Sequence, residues 1–137
     1  MTDDVDLAED LRAAVGGFVR RVRAHDTMPF GQTAVLGYLG RGGTLSIADL
    51  ARREQVRHQS MTRTVNLLAD QGLVTLSPAE TDRRQVAVLL TPAGADRLAE
   101  VRRTRAAAIA TALREQLTPE ERAIVARIPE ILRKVQP

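Results

Sequence analysis

Residues 44–91, TLSIADLARREQVRHQSMTRTVNLLADQGLVTLSPAETDRRQVAVLLT, decide the fold. Ser46 stands where a helix N-cap belongs, with Asp49 three residues on, and Ile47, Leu50 and Ala51 give a short helix its buried side. Gln55 to Arg57 is a tight turn. A longer helix then runs from His58 to about Gln71 and is closed by Gly72, at the place where a left-handed residue stops a helix. Leu73 to Leu76 and Gln85 to Leu90 read as two short strands, joined by the turn formers between Ser77 and Asp82. Short helix, turn, longer helix and hairpin is the order of a winged helix-turn-helix, whose second motif helix is built to enter the major groove of duplex DNA.

At 100° per residue the longer helix separates into two faces. Met61, Val65 and Leu68 fall together, while Gln59, Arg63 and Asn66 fall opposite them. The first set is expected to be core. The second carries the chemistry that base edges require, because glutamine and asparagine grip adenine and arginine grips guanine, each at about 1–3 kcal/mol of discrimination. Ser60 and Thr62 flank this face. Any surface helix has a polar side; what favours DNA over plain solvent here is that no acid occurs between residues 55 and 69. Arg57 and His58 at the helix entrance, and Ser46 with the free amides of the shorter helix, are placed for phosphates, which fix register without reading sequence. In the hairpin, Arg83 and Arg84 follow the tip and suit the minor groove or its flanking phosphates, with Asp82 expected to orient one guanidinium through a bidentate pair. A surface ion pair is the plainer alternative for these three.

Outward from this segment the chain is helical. Leu7, Leu11, Val15, Phe18 and Val22 recur at steps of three and four, predicting a helix over roughly 5–25. Gly16 and Gly17 weaken it by about 1 kcal/mol each relative to alanine, which suits a site where another backbone packs closely. Pro29 fits the first turn of a second helix carrying Val35, Leu36 and Leu39 and ended by Gly40, Gly42 and Gly43. Thr91 and Pro92 open a long helix through Leu98, Val101, Ile109 and Leu113. Thr118, Pro119, Glu120 and Glu121 form a capping box for a last helix with the stripe Ile124, Ile128, Ile131 and Val135. Pro129 lies inside that helix and predicts a kink or break near Ile128. The expected fold is therefore mainly α with a small β-hairpin wing: a DNA-binding lobe over 29–91, flanked by terminal helices over 1–28 and 92–137.

Composition bounds the function. With 137 residues the chain can bury a core without metal or disulfide staples. It has no cysteine, which excludes disulfides, thiolate zinc sites and cysteine nucleophiles. The start, with Asp3, Asp4, Asp6, Glu9 and Asp10, is the reverse of a secretory signal, and no apolar run approaches the ~20 residues of a membrane span, so a cytoplasmic, membrane-free protein is expected. Net charge is +3, and Lys134 is the only lysine; arginine richness fits phosphate and guanine contacts as well as it fits a coding bias. An enzyme fares badly, because His25 and His58 are the only histidines and no nucleophile–base or metal-ligand spacing is visible. No catalytic residue, metal or cofactor is expected.

Asp82, Arg83, Arg84, Val88, Leu90 and Thr91 fit the D-x-R-x-x-x-[hydrophobic]-x-L-T wing signature of the multiple antibiotic resistance regulator (MarR) family. Upstream, Leu50-Ala51, Val56, Thr62-Arg63, Leu68 and Gly72-Leu73-Val74 keep that family's spacing without a gap. The resemblance covers essentially the whole chain. It implies a transcriptional regulator that binds a pseudo-palindromic operator as an obligate homodimer, its terminal helices forming the dimer; many relatives are repressors released by small anionic aromatic or lipophilic ligands. Three positions depart from the pattern: Arg57 stands where a small capping residue is common, Leu76 where a wing arginine is common, and Pro129 inside the last dimer helix. The stripes of the first, fifth and sixth helices point independently to a second copy, since a small winged core cannot cover them all. A small-molecule effector would enter a crevice between dimer helices and lobe, with Phe18, Phe30 and Tyr38 the only aromatic residues to line it, although core positions explain all three more simply. A winged-helix module that binds protein, and a non-specific architectural DNA binder, are the rival readings.

Overall fold

The computed structural model describes residues 3–137. Six helices and three short strands follow in order: α1 (Asp4–Arg23), α2 (Phe30–Gly42), β1 (Leu45–Ser46), α3 (Ile47–Glu54), α4 (His58–Asp70), β2 (Val74–Pro78), β3 (Val86–Leu90), α5 (Pro92–Gln116) and α6 (Pro119–Lys134). The α3 helix begins as its sequence requires. The Ser46 hydroxyl accepts the Asp49 N–H at 3.0 Å, and the Asp49 carboxylate accepts the Ser46 N–H at 3.2 Å. It ends at Gln55 in a left-handed conformation, φ 57°, the one non-glycine residue with positive φ among those described. That conformation turns the chain sharply enough for the Val56 N–H to reach Ala51 O at 3.0 Å, and α4 starts three residues later. At the far end of α4, Gly72 takes φ 74°, where a side chain would be strained, and the Leu73 N–H closes back on Leu68 O.

The hairpin is part of a three-stranded antiparallel sheet in the order β1-β3-β2. Leu45 faces Val88, Val74 faces Leu90, and Pro78 faces Val86 at the last rung of the outer strand, where its missing donor costs least. Strand β1 is not foreseen by the sequence. Two residues are too few for an alternating pattern to show, and the backbone of Leu45–Ser46 extends because β3 supplies the partner.

The core is made by α2, α3, α4, the sheet and the first turns of α5. Val35, Leu36, Leu50, Met61, Val65, Leu68 and Val88 are fully buried, with Leu98 and Val101 of α5 packed beside them. The α5 helix is pinned to the hairpin by Thr91, whose hydroxyl donates to Gly72 O at 2.6 Å and accepts the Gly94 N–H at 3.0 Å. Glycine at 94 lets the first turn of α5 approach the chain just before β2, because a Cβ there would overlap the Leu73 carbonyl oxygen.

Helices α1 and α6 have no buried residue. Leu7, Leu11, Val15 and Phe18 on α1, and Ile124, Ile128 and Ile131 on α6 with Val135 just beyond it, are all exposed. Among the described residues no other backbone lies near Gly16 and Gly17; the nearest atoms are the guanidinium groups of Arg20 and Arg21 from the same helix. The α6 helix also runs through Pro129 without the expected break. One donor is missing from the ladder, but the neighbouring bonds hold and the freed carbonyl lies on an exposed helix open to water. Among the described residues one long-range ion pair ties α5 to the loop between α1 and α2: Arg105 grips Asp26 through Nε at 2.9 Å and Nη2 at 2.6 Å.

Candidate nucleic-acid interface

Helix α4 presents the two faces its sequence predicts. Met61, Val65 and Leu68 point into the core, and Gln59, Arg63 and Asn66 are exposed on the opposite side. Arg63 has no ion-pair partner among the described residues, so its guanidinium is open to an incoming acceptor. Leu67, 46% exposed, extends this face with an apolar side chain, and Asp70 closes it one turn beyond Asn66. Neither is among the residues picked out by hydrogen-bonding chemistry. Thr62 is half-buried, and its hydroxyl donates to His58 O at 2.9 Å, leaving the oxygen lone pairs as its outward chemistry. Thr64 makes the matching bond to Ser60 O at 3.2 Å, while Ser60 itself is exposed.

At the entrance to α4, Arg57 is the N-cap and makes no side-chain capping bond, and no acid occupies the first turn. The first amides of α4 are thus unpaired by side chains, leaving a positive helix end beside Arg57 and His58 in the chain. Ser46 is different. It is 8% exposed and its hydroxyl is engaged in the α3 cap, so of the backbone-contact candidates it is the least accessible. The far end of α4 is fixed by Gln71, whose side-chain amide donates to Gln32 Oε1 at 3.1 Å and to Leu67 O at 3.1 Å. The C-terminal end of α4 is therefore tied to α2.

In the wing, Ala79 N–H bonds Gln85 O at 2.9 Å and Gln85 N–H bonds Asp82 O at 3.0 Å, closing a loop that carries Arg83 and Arg84. Asp82 does not form the bidentate pair expected of it. Its Oδ1 accepts the Arg84 backbone N–H at 3.0 Å, while the guanidinium approaches only through Nε at 3.9 Å, and the Arg84 side chain is 96% exposed. A carboxylate two residues before an amide closes a local turn more readily than it reaches a mobile fork. Asp82 shapes the loop; both arginines stay free to swing.

Among the described residues no group of three or more His, Cys, Asp or Glu side chains is placed to hold a metal ion, and no helix is long and apolar enough to cross a membrane. The aromatic side chains do not gather in one crevice. Phe30 and Tyr38 share a cavity beside α2, whereas Phe18 lines another between α1 and α5 with His25 and Ile109. Phe18 and Phe30 are both exposed, so a core role fails for them and holds only for Tyr38, which packs against the core.

A model of the MarR family matches residues 26–85. A helix-turn-helix-type transcriptional regulator of Mycobacterium leprae, itself uncharacterised, is 36% identical over 108 residues, or 77% of this chain and 76% of that protein. The chain belongs to the MarR family. Among solved structures, a putative transcriptional regulator of Pseudomonas aeruginosa superposes on this MarR-family chain with a TM-score of 0.76 at 28% identity, covering 99% of this chain and 98% of that one. BpsR of Bordetella bronchiseptica, whose DNA binding is regulated by 6-hydroxynicotinic acid, superposes with a TM-score of 0.59 at 23% identity, covering 94% of each. The protein is thus a winged-helix, DNA-binding transcriptional regulator of the MarR type.

Proposed function

We propose that this MarR-family regulator binds a pseudo-palindromic operator as a homodimer and represses, with a small molecule able to release it. The observation that carries the reading is the outward face of α4: Gln59, Arg63 and Asn66 stand exposed together on a helix whose opposite face is locked in the core. In this reading those three residues read bases with Ser60 and Thr62 beside them, and Arg57, His58, Arg83 and Arg84 anchor the phosphates, with Ser46 contributing at most through its backbone. Residues 29–91 form the binding lobe.

The homodimer is supported by the bare stripes of α1 and α6, which a single chain leaves in water. Pairing through them sets two α4 helices about one DNA turn apart, ~34 Å or a multiple, so a small hinge motion defeats simultaneous binding. The effector is supported by the ligand-regulated DNA binding of BpsR, a structural relative. Selection of bound duplexes from a random pool tests the whole reading, since it returns half-site and spacing together. Two half-sites near one helical turn apart, with steep salt dependence, are expected. Binding without base preference would make the protein architectural, and failure to bind any duplex would leave the winged helix as a protein-binding module.

A further inference from the structure

Among the large apolar side chains of α4, Met61, Val65 and Leu68 are buried and Leu67 alone is exposed, at 46%. Leu67 stands one helical turn beyond Arg63 and two beyond Ser60, so it lies about 40° round the helix from Arg63, on the side turned away from the core. Its neighbours at three and four residues, Arg63, Thr64, Asp70 and Gln71, are all polar. It therefore belongs to no apolar patch of α4 that a protein partner would cover. The backbone beneath it is fixed: the Leu67 carbonyl accepts the Gln71 side-chain amide at 3.1 Å, and the same amide reaches Gln32 of α2 at 3.1 Å.

A leucine offers nothing to a phosphate or to a hydrogen-bonding base edge. On the major-groove side of duplex DNA the one apolar feature is the 5-methyl group of thymine. Two threonines of α4 carry methyl groups as well. Thr62 and Thr64 are half-buried, however, and each donates its hydroxyl to the carbonyl four residues earlier, at 2.9 and 3.2 Å. Leu67 is the side chain of this helix with apolar surface left to cover and a rigid base to cover it from.

We propose that Leu67 is a specificity-determining residue that packs on the 5-methyl group of a thymine in each half-site. Four residues of helix rise about 6 Å, and successive bases lie about 3.4 Å apart. With α4 lying along the groove, the thymine falls about two base pairs from the base that Arg63 reads. Hydrogen bonding by Gln59, Arg63 and Asn66 is thereby joined by an apolar contact one turn further along the same helix. The inference rests on the regulator reading above and names one base of its half-site.

The test uses the full chain and the operator recovered by duplex selection, with deoxyuridine replacing each thymine in turn so that only a methyl group is lost. At one thymine, about two base pairs from the position whose preference Arg63→Ala relaxes, wild type is expected to lose about fourfold in affinity, the value of one buried methyl. Substituting both half-sites should cost roughly fifteenfold. Leu67→Ala should bind the thymine operator more weakly than wild type does and no longer distinguish it from the uracil form. Thr62→Ser, which drops a methyl and keeps the hydroxyl, should still distinguish them. The uracil series on wild type needs no variant, so it stands whatever Leu67→Ala does to folding. Selective binding that no uracil substitution weakens, a sensitive thymine well outside the expected spacing, undiminished sensitivity in Leu67→Ala, or its loss in Thr62→Ser each overturns the inference and leaves the regulator reading intact. If no duplex is bound selectively, the regulator reading falls and this inference falls with it.

Discussion

Helices α4 and α6 are written in the same way and end in opposite circumstances. Each has a capped or glycine-closed end and an apolar stripe at helical spacing, yet Met61, Val65 and Leu68 lie in the core while Ile124, Ile128 and Ile131 lie in water. An amphipathic pattern states that a face needs cover and says nothing of what covers it. For α4 the cover is α2, α3 and the hairpin of the same chain. For α6 nothing among the described residues serves, which is why a second copy is the economical account of that stripe.

The contrast is sharpest under truncation. Leu68→Ala removes a fully buried side chain and should cost about 2–5 kcal/mol in urea unfolding, whatever the protein concentration. Ile131→Asp should leave the unfolding of the lobe nearly unchanged but lower the sedimentation coefficient toward that of a single chain. If Ile131→Asp sediments as wild type does, the α6 stripe is not the partner surface and the comparison between the two helices collapses.

The joint between the regions should respond next. The Asp26 side chain is 4% exposed and that of Arg105 is 28% exposed. Removing Arg105 strands a buried carboxylate, while removing Asp26 leaves a guanidinium that water can still reach. Arg105→Gln is therefore expected to cost about 3 kcal/mol, and Asp26→Asn less. The reverse order in thermal melts would mean that Asp26 reaches solvent in solution.

How far these features can be read without coordinates follows a physical divide. The winged helix-turn-helix is legible because its signals are local: Ser46 with Asp49, Gly72, Thr91 with Pro92, and the 100° sorting of α4 each lie within a few residues. The exposed polar face of α4 is legible for the same reason. Strand β1 is not, since Leu45 and Ser46 extend only through their pairing with Val88 and Ala87. The Asp26–Arg105 pair spans 79 residues of chain, and no spacing rule links its partners. Pro129 does not break α6, because the proline rule judges one residue whereas the helix is held by all of its other bonds.

Recognition and stability should separate within α4 itself. Arg63→Ala is expected to weaken binding to the selected operator by about 1–3 kcal/mol and to relax preference at one base position. Its unfolding midpoint should stay within about 0.5 kcal/mol of wild type, because the side chain touches no core atom. A uniform loss across all duplex sequences, with a shallower salt slope, would reassign Arg63 from base reading to phosphate contact.

The smallest effect concerns the cap that starts the motif. Hydrogen bonding to Ser46, side chain first and backbone N–H second, together with the charges of Arg52 and Arg53, holds the Asp49 carboxyl below its ordinary pKa of 3.8 against a small opposing effect of burial. A carboxyl depressed on folding adds stability that is fully present above the unfolded value and is lost as pH falls through the folded one. Asp49→Asn should therefore be less stable than wild type at pH 6, and the two should converge as pH drops below about 3.8. Ser46→Ala, which removes the hydroxyl from the cap, should cost about 1 kcal/mol at neutral pH and shrink the Asp49 effect with it. A gap between wild type and Asp49→Asn that stays constant down to pH 2 would show that the carboxylate charge plays no part in the cap, leaving its shape alone to start the helix that leads into α4.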